Sequence, residues 1–430
     1  PGYYLVQYGW AQVFGSGLVA LRALGLLLDA LTGVALSVLG RRWFGPLPGL
    51  IALALYMLSP FLTFYAQELR PYALLTLCGL LSTAAISALA AHPRDRWRGV
   101  RAACASIPPV LCHPIAVYLP VAHLCWFAAT RRWGHGVSIW FYTQLGLAAT
   151  WLAWVANADY GAAEQALDWI EDPSLLLLLR IVTQVQLFWP DAPGILAVAT
   201  AAVGGALLLL VRRDVHAGPN GSRRMLCLFC WLLPALGVYL QSYILAPALE
   251  PRYLLYSAPF LAMLFGVAIG NLPRRAGRWA AALALCAMPA LAQYQTERPL
   301  RTDWHTIVDW IETHRDGEHA HVIAVYLIEA EVEYHLRRLP ATVWFSTRER
   351  APRDLADQLG PLRSARIFVV SVRKLPDWTY DPLRAYGWEV VDETRIAGKL
   401  PRFASVLARD RGAAPTGRGA GGRWLPVRPD

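Results

Sequence analysis

Charge is what this sequence has least of. Charged residues make up 16% of the 430-residue chain and hydrophobic residues 56%, whereas soluble domains carry about a quarter charged residues. That shortfall, with a mean hydropathy of +0.35, excludes an ordinary soluble enzyme and indicates a polytopic membrane protein. Lysine is nearly missing. Lys374 and Lys399 are the only two, so the formal net charge of +10 belongs to arginine. No nucleic-acid partner is read from it, because what matters is where the arginines fall. The seven cysteines lie mostly inside apolar runs and form no disulfide framework. Cys227 and Cys230 make a CxxC without a second pair, inside a continuous apolar segment, and read as core packing. No charged n-region and h-region of a signal peptide opens the chain. Residues 298–411 carry neither a GxGxxG nor a phosphate-loop pattern, so no nucleotide is assigned to that stretch. The first residue is Pro1 rather than Met, and a membrane chain that begins PGYYLVQYGW is expected to continue upstream.

What is present is a series of apolar runs. A spanning helix needs about 20 such residues, and runs of that order lie at 18–40, 47–66, 71–91, 113–130, 137–156, 192–211, 225–246, 253–271 and 279–295. A shorter piece at 100–112, interrupted by Pro108 and Pro109, makes a tenth span. With the loops alternating sides, fifteen arginines fall in 41–46, 92–101, 131–136, 212–224 and 271–278. The opposite loops hold only Arg70, Arg180 and Arg252. By the positive-inside rule the arginine-rich side is cytoplasmic. The expectation is a multi-pass protein of the plasma (inner) membrane. The Glu68–Arg70 loop, the loop 157–191 and everything after residue 296 then face outward. Within 157–191, the apolar part 174–189 reads as an interfacial helix anchored by Trp189.

Past residue 297 the pattern changes. Strands are expected at 321–328, 342–345, 365–370, 388–393 and 402–408, with helices at 329–338 and 353–360. Alternating strands and helices predict a small α/β domain with a mostly parallel sheet. The predicted organisation is a mostly α transmembrane domain over 1–297, an extracytoplasmic α/β domain over 298–411, and a Gly-, Pro- and Arg-rich disordered tail over 412–430. His305, His314, His319 and His321 lack the fixed ligand spacing of a metal site and read as a solvated face.

The polar residues at the outward edge are the candidates for chemistry. Gln67, Glu68 and Arg70 sit in SPFLTFYAQELRPY, between two apolar runs, and Glu250 and Arg252 sit in ALEPRYLLY. His113 follows the prolines of the broken span. Ionisable groups at membrane depth are costly and are functional hypotheses by default. Guanidinium forks pair bidentately with phosphate oxygens, so Arg70 and Arg252 suit an anionic headgroup. Tyr65, Tyr72 and Tyr253 carry hydroxyls able to bind sugar or phosphate. The plainer alternatives are a polar turn, snorkelling arginines and an aromatic belt.

SPFLTFYAQELRPYALL resembles the outer-loop signature of glycosyltransferase family 39-like integral membrane proteins, which include protein mannosyltransferases and aminoarabinose lipid A transferases of the GT-C fold. The opening PGYYLVQYGWAQVFGSGLVALR is similar to the segment after their Pro-rich PPLYY element. PRYLLYSAPFLA is similar to a late R-Y-L…P element, and DWHTIVDWIETH to the start of their extracytoplasmic domain. The resemblance implies transfer of a sugar from a polyprenyl-phosphate donor to a lipid, glycan or protein acceptor in the cell envelope, in contact with membrane lipids. It implies Arg70 and Arg252 at the donor phosphate, with Tyr65, Gln67, Tyr72, His113, Glu250 and Tyr253 around the substrate. It also implies a first-loop aspartate as general base, in a segment that would precede Pro1. Glu68 is the carboxylate present, a second acidic group that orients acceptor or metal. No cofactor is assigned, and a divalent metal is left open. The competing readings are a lipid-linked sugar transporter or flippase, and a non-catalytic membrane scaffold of the same fold.

Overall fold

The computed structural model describes residues 2–156, 172–178, 181, 204–205, 218–244, 248–295, 304–315, 320–325, 341–346, 366–371, 384, 388–396 and 402–409. The chain divides into two compact units, Pro1–Gln295 and Thr296–Asp430.

The first unit is helical. Its described elements are α1 (Gly2–Phe14), α2 (Leu18–Phe44), α3 (Pro46–Met57), α4 (Pro60–Ala66), α5 (Tyr72–Ala91), α6 (Arg96–Cys112), α7 (Tyr118–Thr130), α8 (His135–Ala156), α9 (Gly218–Ile244), α10 (Ala258–Gly270) and α11 (Arg275–Gln295). Short 3-10 turns at Pro114–Val117 and Pro251–Ser257 lead into α7 and α10. Among the described residues four helices are long and apolar enough to cross a membrane, or up to five if the bent pair α3–α4 counts as one. They coincide with the expected spans at 18–40, 47–66, 71–91, 225–246 and 253–271. The run 113–130 is a shorter apolar helix, Pro114–Thr130. The stretches 137–156 and 279–295 lie within α8 and α11, and 192–211 falls outside the described residues apart from Gly204 and Gly205. Of 174–189, residues 175–178 and 181 are helical; Trp189 lies outside. Pro108 and Pro109 do not interrupt α6, which runs on to Cys112 with both inside it. A packed bundle tolerates this because neighbouring helices and Ser/Thr side chains re-satisfy the freed backbone groups.

Close packing organises the bundle. α10 is buried at every position from Ala258 to Ile269, as befits a helix that is apolar all round. α2 packs on α3 and α4 through Gly25, Gly33 and Gly40. A Cβ on Gly25 would overlap the Ala66 carbonyl oxygen, and one on Gly40 would lie 2.8 Å from the Gly49 Cα. Small residues let membrane helices approach this closely. Polar side chains add cross-links. Trp140 Nε1 donates to Ser106 Oγ at 3.0 Å, and Ser106 also meets Ser82 Oγ at 3.0 Å, joining α8, α6 and α5. His123 Nε2 lies 3.0 Å from Thr83 Oγ1. Cys227 and Cys230 are fully buried, so the CxxC is core as expected. The arginine-bearing turns gather at one end, where the Gly136 amide donates to the Pro93 carbonyl at 3.0 Å and Trp126 Nε1 donates to the Ser222 carbonyl at 2.7 Å.

The second unit contains α12 (Trp304–His314) and strands β1 (Ala320–Val325), β2 (Ala341–Ser346), β3 (Arg366–Ser371), β4 (Trp388–Ile396) and β5 (Arg402–Arg409). The sheet order is β2-β1-β3-β5-β4. β1 pairs in parallel with β2 and β3, but β5 is antiparallel to β3 and β4. The expected mostly parallel sheet is therefore a mixed one. The short connection between β4 and β5 has no room for the crossover that a parallel pair requires. Ile307 and Ile311 of α12 pack on Val322, Phe368, Val370 and Val406. His314 pairs with Asp392 at 3.3 Å; the expected helices 329–338 and 353–360 and the tail 412–430 lie outside the described residues.

Candidate functional site

The site begins with a proline. Pro60 pushes Ser59 out of helical conformation (φ −71°, ψ 113°), and the Ser59 hydroxyl then caps α4 by accepting from the Leu62 amide at 3.2 Å. α4 leaves α3 at 64°. It delivers Tyr65 and the turn 67–71 to the helix ends opposite the arginine-rich turns, where α5 starts and α6 stops. The second 3-10 turn is held there by Tyr256, whose hydroxyl donates to the Ile115 carbonyl at 3.1 Å. Ser242 of α9 accepts from the Ala248 amide at 3.0 Å, two residues ahead of the extended Glu250.

These elements bring most of the expected residues together. Rings form a continuous wall, with centroids 5.5 Å apart for Tyr65 and Tyr72, 6.3 Å for Tyr72 and His113, and 5.0 Å for His113 and Tyr253. The Arg252 guanidinium lies 5.6 Å from the Tyr253 ring centroid. It pairs with Glu250 at 3.9 Å, each side chain 23% exposed. The charge of Arg252 acts on Tyr65 and Tyr72. That of Arg70 acts on Tyr72 and Tyr253, and that of Glu68 on Tyr65. Gln67 is the exception: its amide turns back to donate to the Thr63 carbonyl at 3.3 Å, within its own helix.

Sequence reasoning passed over two groups. Asp29 of α2 is buried in the bundle and accepts from the Tyr56 hydroxyl at 2.6 Å; a lone carboxylate inside an apolar run was the available signal. The other is Tyr3 of α1, which lies within reach of the charges of Arg70 and Glu68.

No protein-family model matches this chain, and no curated protein matches it. Solved structures do. The crystal structure of ArnT from Cupriavidus metallidurans in the apo state superposes with a TM-score of 0.56 at 14% identity, covering 94% of this chain and 87% of that one. The crystal structure of the same protein bound to undecaprenyl phosphate gives 0.52 at 14% identity, covering 97% and 88%. This chain has the ArnT fold. The GT-C architecture expected from the motifs is therefore the one observed.

On this ArnT fold the edge site combines cations, hydroxyls and carboxylates beside an apolar bundle. Among the described residues no three His, Cys, Asp or Glu side chains group as metal ligands; Glu68 and Glu250 are the site's carboxylates. His113 stands in the turn just ahead of Pro114. Its Nδ1 accepts from the Ile115 amide at 3.3 Å, which leaves an Nε2–H as a donor. Burial, then the nearby Arg252 charge, lowers its pKa from the ordinary 6.5 to about 4. Between those values the unfolded chain binds a proton that the folded chain does not. Stability should thus fall as pH drops from 6.5 towards 4, and be independent of this group above 6.5. Thermal unfolding in detergent at pH 7 and pH 4.5 checks this: His113→Gln should show a smaller loss between the two than the parent chain.

Proposed function

We propose that this chain is a glycosyltransferase of the plasma (inner) membrane. It transfers a sugar from a polyprenyl-phosphate-linked donor to a lipid, glycan or protein acceptor on the extracytoplasmic face. The observation that carries the reading is Arg252, a half-buried guanidinium set among tyrosine and histidine rings at the edge of an apolar bundle. A prenyl tail partitions beside the bundle while its phosphate meets the cation. The likeness to a fold whose solved examples include one bound to undecaprenyl phosphate supports the same ligand class. The arginine bias favours an outward-facing site and an extracytoplasmic second unit that helps select the acceptor.

In the reaction the bond from the sugar's anomeric carbon to the phosphate oxygen breaks, and its electron pair leaves with the phosphate. Arg252 and Arg70 stabilise the charge that builds there. An acceptor hydroxyl oxygen forms the new bond and loses its proton to a carboxylate. Glu250 is engaged with Arg252; we assign Glu68 to shaping the reaction centre, beside the first-loop aspartate that the family resemblance implies as the base. The test is binding of undecaprenyl phosphate to the purified chain, with undecaprenol as the comparison. Preference for the phosphate by at least tenfold is expected; equal binding of the two lipids would defeat the reading.

A further inference from the structure

Tyr3 belongs to none of the site motifs, yet the fold carries it to the site. Gly2 sits against the end of α6, where an added Cβ would lie 3.3 Å from the Leu111 carbonyl oxygen. α1 therefore starts beside the turn that holds His113. The Tyr3 side chain is 1% exposed, with its ring edge-on to Tyr4 at 5.4 Å. Among the described residues no group hydrogen-bonds its hydroxyl. Leaving a buried hydroxyl unsatisfied is unfavourable, so the position calls for a partner beyond the described residues. Arg70 and Glu68 are the side-chain charges that act on it. The Arg70 cation favours an anionic partner and outweighs the Glu68 carboxylate, which opposes one. Burial pushes the phenol up to about 12, so it remains a neutral O–H donor at physiological pH.

We propose that the Tyr3 hydroxyl is a phosphate-binding group, donating a hydrogen bond to a phosphate oxygen of the polyprenyl-phosphate ligand next to Arg70. This rests on the reading of the site given above, and adds α1 to it. A hydrogen bond to a charged acceptor is among the stronger ones.

The experiment compares the full chain with Tyr3→Phe and Arg252→Ala, measuring dissociation constants for undecaprenyl phosphate and undecaprenol and unfolding temperature without lipid. Tyr3→Phe keeps the ring and its packing. It should weaken undecaprenyl phosphate binding about tenfold, leave undecaprenol unchanged, and leave the lipid-free unfolding temperature unchanged or slightly higher. Unchanged phosphate-lipid binding in Tyr3→Phe, with binding lost in Arg252→Ala, would overturn this inference alone. A lower lipid-free unfolding temperature would also overturn it, since the hydroxyl would then have a protein partner. Equal weakening for both lipids would assign Tyr3 to packing or to the prenyl tail instead. Unchanged binding in both variants would overturn the site reading itself.

Discussion

Arg252→Ala should reduce sugar transfer by about 10²–10³-fold, the scale for losing one preorganised donor aimed at developing charge. The effect is expected to be large because two changes act together. The guanidinium that faces the ring wall is removed, and Glu250, 3.9 Å from it in the parent chain, is left as an unbalanced negative charge beside the phosphate. Arg252→Lys should recover only part of the activity, because an ammonium is a point charge and cannot reproduce the planar fork. Adding Glu250→Gln to Arg252→Ala should recover some binding by removing the repulsion, although Glu250→Gln alone should weaken it. Transfer assays with a labelled polyprenyl-phosphate sugar, read alongside undecaprenyl phosphate binding, would measure both steps. Wild-type rates in Arg252→Ala would remove the residue from the reaction.

Gly25→Ala should destabilise the chain by about 1–3 kcal/mol, the usual cost of forcing a methyl group into a packed interior, and should disable the site as well. In an ordinary helix this substitution has the opposite sign, since Ala is favoured over Gly by roughly 0.5–1 kcal/mol. Here the added Cβ meets the Ala66 carbonyl, which is backbone and cannot rotate away. α4 must move off α2, and α4 carries Tyr65 one residue before Ala66. Gly146 of α8 supplies the control, because a Cβ there has nothing within 4 Å. Gly146→Ala should be neutral or stabilising in the same detergent unfolding assay. Matching results for the two variants would show that the α2–α4 contact does not limit the fold.

The legible parts of this protein are those written in local pattern. Long apolar runs become helices because a bilayer offers backbone groups no other partner. The strands at 342–345, 365–370 and 402–408 each fall within a residue of an observed strand. The arginine-rich turns of α5, α6, α7 and α8 do collect at one end, whereas the break at Ser59–Pro60 lies inside the run 47–66 that was expected as one span. Other features were not legible. Strand direction in the second unit depends on which edge a hairpin joins, so β5 entering beside β3 could not be read from alternation. Two prolines in α6 suggested an interruption that packing against neighbouring helices suppresses.

For the site, residue type and placement at the ends of apolar runs came from sequence: Tyr65, Glu68, Arg70, Tyr72, His113, Arg252 and Tyr253 all sit where apolar runs end. The convergence of Tyr65, Tyr72, His113 and Tyr253 into one ring wall was decided by tertiary structure alone. It depends on the 64° bend between α3 and α4, on the Tyr256–Ile115 hydrogen bond, and on α2 packing through Gly25. Tertiary structure likewise turned Gln67 onto its own helix and brought Tyr3 within range of the Arg70 charge. Local pattern registers only how each segment meets lipid and water, whereas contacts between distant segments depend on close packing of side chains that no periodicity records.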